Sequence, residues 1–425
     1  MARCDMLLFM NALKYRYYTK YLPLILFFGL IVIDSINGYA QANLGTYYPI
    51  GVISRGLIML SIIPYTLKND LKYASFFRLL AVLYVSFIPL WYISGTGISI
   101  GMEMQNIFKF VYFFTILMYF QHYKNCFSPD WICRIISLTA MVLAIINIYC
   151  AITGSGNKSY GEDFGFGTKA FYADGNSFGL YMILSNCISV WYAFYKKHWW
   201  FLVAVIVSLG TLLVGSRTAM AGVVLTWALL LFYFLIKKDR MVRLSAFSKL
   251  SICLIGGVCV GYMLVKMIQF ISTFDTYTLT KFTLESAISS REHLILLGTQ
   301  VIRNFNFMEL FIGKSYSGGM RVVGAMYASD VEFKSMETDW LDMILYYGWG
   351  FGVLMIVLQL LIFKNLVTPF IKSKSSLNFT LLIIAMLWMG TSWMAGHAFN
   401  NTMLAPLFAV LLLLSDNKYD TRRIK

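Results

Sequence analysis

Four groups of residues carry chemistry that packing alone does not require. The first is METDWLDMILYYGWGFG over 336–352, where Glu337, Asp339 and Asp342 precede and enter a long apolar run. A carboxylate at such a boundary is partly desolvated and is placed to take a proton as a general base. Asp342 follows Asp339 by three positions, so on a helix the two share a face. The same acids would also stabilise a helix N-terminus, a purely structural role. The second group is VGSRTAM (214–220), in which Arg217 opens another apolar run. Its guanidinium can hold a phosphate through two parallel N–H bonds, or it can snorkel to lipid headgroups. The third is Arg291, Arg303 and Arg321, with Lys314 in the turn IGKSYSGG (312–319). Together they suit a diphosphate held against a membrane; singly each reads as a solvated loop cation. The fourth is AFYADGNSFGLY (170–181), where Asp174 and Asn176 read as a helix N-cap or as contacts to a sugar, with Tyr and Phe to stack on its faces. His293 and His397 stand outside any ligand constellation, and no CxxC spacing occurs, so neither a metal nor another cofactor is expected.

These residues must be positioned by apolar helices. The chain has 425 residues, 59% apolar and only 13% charged. A soluble domain carries about 25% charge, so an ordinary globular enzyme is excluded. No P-loop and no GxGxxG motif is present, which excludes an ATP-driven pump made of this chain alone. A membrane span needs roughly 20 mainly apolar residues, and reading for such windows gives about twelve. They lie near 21–40, 47–65, 77–95, 104–121, 132–153, 172–195, 199–214, 218–236, 250–271, 340–363, 377–396 and 401–415. The first of them holds Asp34 and lacks a small-residue cleavage site, so it does not read as a signal peptide. The fold class expected is an all-α polytopic membrane protein.

The net charge of +15 then becomes a statement about sidedness rather than about a polyanionic partner. With both termini cytoplasmic, the inner segments hold 23 basic residues against six acids, and the outer segments nine against 13. Lys and Arg in short loops set orientation in this sense. Arg55, Lys109, Lys266 and Asp34 fall within spans, where a charge is costly and marks a candidate functional position. All seven cysteines fall in spans, in inner segments or at a membrane boundary, and none in the long outer loop.

The apolar pattern breaks twice on the outer side. One break is residues 154–172, rich in Gly and polar groups; the other is the long segment 272–339 between the ninth and tenth spans. The organisation expected is therefore 1–271 with nine spans, 272–339 as a large, partly helical outer loop, and 340–425 with three spans and a cytoplasmic tail. Within the loop, residues 290–305 show helical apolar spacing at Leu294, Leu297, Val301 and Ile302, with a Ser cap before Arg291. Long ordered loops usually carry function, which directs attention to the outer face.

The order of these motifs resembles a known superfamily. A DGN motif opens the sixth span and SRTA the eighth; SSREHL and LFIGKSYSGG follow in the large loop, then an acidic stretch and WLDMILYYGWGFG entering a span. This is similar to the O-antigen ligases and the Wzy-type O-antigen and capsule polymerases. The resemblance covers about residues 160–360 in motif order. It implies a GT-C-like, metal-independent glycosyltransferase of the bacterial inner membrane, acting on the periplasmic face with undecaprenyl-diphosphate-linked glycan as donor and acceptor. It further implies that Arg217 and Arg291, with Arg321 more weakly matched, hold the donor diphosphate, and that Glu337 or Asp339 is the base. Membrane lipids and a chain-length regulator are the implied partners, and nucleic acid is not one. Ligases carry a His, with a Gly further on, where this chain has Glu337 and Gly348. That departure points to a polymerase, leaving a ligase transferring glycan to lipid A–core as the alternative and a secondary transporter or flippase as a third reading.

Overall fold

The computed structural model describes residues 15–44, 49–66, 74–94, 98–159, 167–172, 174–196, 199–236, 284–328, 330–396, 398–399 and 401–416. Among them the fold is helical; the one β-type feature is an isolated antiparallel pair, Lys158 with Thr168. In chain order the helices are α1 (Tyr17–Gln41), α2 (Ile50–Thr66), α3 (Ala74–Ile93), α4 (Ile100–His122), α5 (Pro129–Thr153), α6 (Gly175–Lys196) and α7 (Trp200–Leu212). They continue with α8 (Arg217–Ile236), α9 (Leu284–Arg303), α10 (Phe307–Ile312), α11 (Tyr316–Tyr327), α12 (Asp339–Lys372), α13 (Ser376–Met394) and α14 (Ala405–Leu414). Every expected window except 250–271 falls on one of them; that window, and residues 272–283 of the large loop, lie outside the described residues.

Seven helices, α1, α3, α5, α6, α8, α12 and α13, are long and apolar enough to cross a membrane. The apolar helices α2, α7 and α14 are shorter, and α4 carries Glu103 and Lys109. This is a polytopic helical membrane protein. At its centre α6 is buried all round, as is α14, the pattern of a helix enclosed by other helices rather than facing lipid. Small residues let neighbours approach closely: a Cβ at Gly210 of α7 would lie 2.4 Å from the Cβ of Ala144 on α5. Polar side chains then link the helices. Ser208 Oγ donates to Asn186 Oδ1 at 2.8 Å, and Trp227 Nε1 donates to Ser208 at 2.9 Å.

Two features differ from expectation, one in the large loop and one in the span that follows it. Helix α9 starts at Leu284, ahead of the Ser that reads as a cap, so Arg291 lies in its interior and not at its positive end. Serine stops a helix only when its hydroxyl captures the amides of the first turn; otherwise it is tolerated within one. The second feature is the break in α12. At about 1.5 Å per residue, its 34 residues would far exceed the ~30 Å hydrocarbon core. Gly348 divides it with φ 69° and ψ −179°, conformations almost confined to glycine. Backbone from α10 fills the notch, since a Cβ at Gly348 would lie 2.6 Å from the Phe311 carbonyl carbon and 2.7 Å from Gly313 N.

Gly348→Ala is accordingly expected to cost on the order of 3 kcal/mol, from backbone strain and overpacking together. Gly390→Ala, whose Cβ meets nothing within 4 Å, should be neutral or slightly stabilising. Thermal unfolding of both variants in detergent checks this, and a Gly348→Ala protein as stable as the parent would contradict it.

Candidate functional site

A cavity of about 410 Å³ opens where α1, α2, α4, α12 and the segment before α14 converge. Its wall is more polar than a helical core of this kind requires. Four carboxylates line it, Asp34, Asp174, Asp339 and Asp342, together with the cations Arg55 and Lys109. Amide side chains (Asn37, Asn106 and Asn401 among them) and aromatic rings complete it. Placed on a partly apolar wall, carboxylates, amides and aromatic faces are the groups that orient a polyhydroxylated ligand.

Most of the charged wall residues are held by specific contacts. Arg55 binds Asp34 with two parallel bonds, Nη1 to Oδ1 at 2.9 Å and Nη2 to Oδ2 at 2.6 Å. Asp174 caps α6: Oδ1 accepts from Asn176 N at 3.0 Å and Oδ2 from Ser177 Oγ. Asp339 Oδ2 accepts from Ser392 Oγ at 2.7 Å and from the amides of Ala398 and Phe399 at 3.1 Å each, tying the start of α12 to α13 and the turn beyond it. Asp342 Oδ1 accepts from Met336 N at 3.0 Å. Lys109 lies in the field of Asp174, but no acid among the described residues is within 4.0 Å of its Nζ.

Two polar residues of α4 join the site without being singled out by the sequence: Asn106 lines the cavity, and Glu103 precedes it by three positions on the same helix. Glu103, fully buried, accepts from Ser317 N and Ser317 Oγ at 2.7 Å each and so holds the N-terminus of α11, where a negative charge is favoured. Asn106 donates to the hydroxyls of Tyr84 and Tyr347 at 2.6 Å each. Glu103, Asn106 and Lys109 recur every third residue in GMEMQNIFK. Polar residues at that spacing within an apolar run mark one helix face turned to a polar interior, and this was the available signal. Tyr316 lines the same cavity. Burial pushes its phenol up, and the Asp342, Glu103 and Asp174 carboxylates push it further, so it stays a hydrogen-bond donor through neutral pH.

A second cluster stands at the entry to α12. Glu337 takes Lys334 Nζ on Oε1 at 2.8 Å, and its Oε2 lies 3.8 Å from Arg291 Nε. Glu337 adopts φ 59°, a left-handed backbone rare for a non-glycine residue. Gly396 packs against it, for a Cβ there would lie 2.8 Å from the Glu337 carbonyl carbon. Backbone held this way, against its own preference, is frequent at functional sites.

The singled-out residues thus separate into groups. Asp174 and Asp339 line the cavity; Asn176, in the first turn of α6, gives its amide to Asp174. Arg291 and Glu337 meet in the second cluster. Arg217 is the first residue of α8 and half-buried, in a turn fixed by Ser159 Oγ donating to Val214 O at 2.6 Å. Lys314 pairs with Glu309 at 2.5 Å, and Glu309 also closes the capping box of α10. Arg321 makes a looser, exposed pair with Glu332 at 3.5 Å. His293 lies beside Tyr327, with ring centroids 6.1 Å apart, and His397 lies outside the described residues. Among the described residues no group of three or more His, Cys, Asp or Glu is arranged to hold a metal ion. No protein-family profile matches the chain, and no curated protein matches it.

Proposed function

We propose that this chain is a membrane-embedded glycosyltransferase of the polymerase kind, joining undecaprenyl-diphosphate-linked oligosaccharide repeat units on the outer face of a bacterial inner membrane. The observation that supports it best is the ion cluster at the entry to α12, in which Glu337 stands between Arg291 and Lys334. A base and a diphosphate-binding cation are there adjacent, and the polar cavity lies beside them with room for a sugar.

The reaction is a displacement at the anomeric carbon of the donor glycan. The donor diphosphate draws Arg291 from Glu337, because a diphosphate offers the guanidinium more charge and a bidentate geometry. That exchange frees Oε2 of Glu337 to accept the proton of the acceptor hydroxyl. The hydroxyl oxygen bonds to the anomeric carbon as the bond from that carbon to the diphosphate oxygen breaks, and its electron pair leaves with the diphosphate. Arg291 and Arg217, with Arg321 and Lys314 in weaker supporting roles, offset the charge developing there, as preorganised cations do elsewhere. Aromatic and amide groups of the cavity orient the acceptor, with Asp174 and Asn176 at its rim. Glu337 in place of a histidine favours this reading over a ligase.

Proteoliposomes supplied with undecaprenyl-diphosphate-linked repeat units should make a ladder of chain lengths, with or without chelator. Arg217→Ala and Glu337→Ala should leave only the single-repeat product. A normal ladder from both variants would sink the assignment. The Asp34–Arg55 pair and Lys109 on the cavity wall favour a second reading, passage of a polar substrate through the same cavity. Uptake of the lipid-linked glycan with no change in its length would select that reading.

A further inference from the structure

Four of the six residues of α10 expose large apolar side chains: Phe307 at 75%, Met308 at 45%, Leu310 at 40% and Phe311 at 55%. Glu309 and Ile312 alone turn inward. Water is a poor solvent for so dense an apolar face, and such patches mark contact with a partner or a membrane. The helix is also no loose flap. Its capping box, the Lys314–Glu309 pair and a bond from Trp91 Nε1 to Ile312 O at 2.9 Å fix it. Its backbone is seated on the break in α12, where a Cβ at Gly350 would lie 2.9 Å from Phe311 O.

The position of the face identifies its occupant. From the break onward, α12 turns outward Trp349 (51%), Val353 (39%), Val357 (39%) and Leu360 (46%), a stripe at helical spacing on a membrane-crossing helix. The Phe311 backbone lies against Gly348 and Gly350, where that stripe begins, and the Phe307 and Phe311 rings pack edge to face at 5.2 Å. Trp349, between Gly348 and Gly350, is the residue type that favours the boundary between hydrocarbon and water.

We infer that α10 is an interfacial foot whose Phe307, Met308, Leu310 and Phe311 sit among the acyl chains of the leaflet beside the α12 break. A helix lying in the interface with its apolar face down is held by the same physics as other surface-seated amphipathic helices. The foot anchors the segment that follows it, including Tyr316 of the cavity, at the depth of the lipid headgroups. This inference stands whether or not the chain is a transferase.

The test uses the unmodified chain in lipid nanodiscs holding one copy each. Met308 and Met326 are 45% and 41% exposed in the fold, so without lipid contact hydroxyl radicals would oxidise them at similar rates. With the foot in the leaflet, Met308 should oxidise at least about fivefold more slowly than Met326, since susceptibility follows exposure. Equal rates would overturn the inference. So would protection of Met308 that appears only in discs holding two copies, because a second chain would then be the occupant.

Discussion

Glu337→Gln is expected to lower the rate of chain extension by about 100- to 10,000-fold, the range that removal of a general base produces. The substitution keeps the side chain's size and one oxygen to accept from Lys334 but removes its ability to take a proton. It also releases Arg291, which lies 3.8 Å from the carboxylate, to serve the donor diphosphate alone. The loss should therefore appear in kcat while KM for the lipid-linked donor stays level or falls. Arg291→Ala should instead raise KM and lower kcat together, and the double variant should be little worse than the more damaged single, because the two groups act as a unit. A Glu337→Gln protein with parental kcat would remove Glu337 from the chemistry. Asp339→Asn offers the contrast. Its carboxylate accepts three bonds on one oxygen from α13 and the turn after it, so the change should reduce the yield of folded protein more than the turnover of what folds.

The largest effect on stability is expected at Asp34. Its carboxylate holds both terminal nitrogens of Arg55, and the two side chains are only 18% and 9% exposed. Asp34→Ala leaves a buried guanidinium unpaired, a change that costs about 3–5 kcal/mol. Replacing both partners, in Asp34→Ala/Arg55→Met, should recover most of that loss, since the penalty is the uncompensated charge and not the missing pair. Thermal unfolding in a fixed detergent measures both variants against the parent. Parental stability in the single variant would mean that Arg55 finds another counter-charge.

The helical membrane class was legible at once, and so were most helix positions. An apolar window of span length and a 3.6-residue period are local properties, and the surroundings of a helix do little to alter them. Helix ends were less legible: α9 runs through serines that also suit a cap, and nothing local to Ser290 decides between the two. The break in α12 could not be read, although Gly348 was visible. A glycine inside a span is common in membrane helices; what demands this one is the α10 backbone lying against it.

The candidate site divides along the same line. Residue types alone marked Glu337, Asp339, Asp174, Arg217 and Arg291 as unusual, because charged groups beside apolar runs are expensive wherever the chain goes. Partnership was not encoded at that level. Asp34 meets Arg55 across 21 residues, and Glu103 meets Ser317 across 214. Each contact exists only because particular helix faces pack together, and many pairings are consistent with one pattern of spans. The sequence by itself determined that this chain crosses a membrane as helices and which charges it carries there. The tertiary structure decided that Asp34, Arg55, Lys109, Asp174, Asp339 and Asp342 share one cavity wall, while Arg291 and Glu337 meet beside it. A charge has a cost from its surroundings in the sequence, but it acquires a partner only when distant helices are brought within bonding distance.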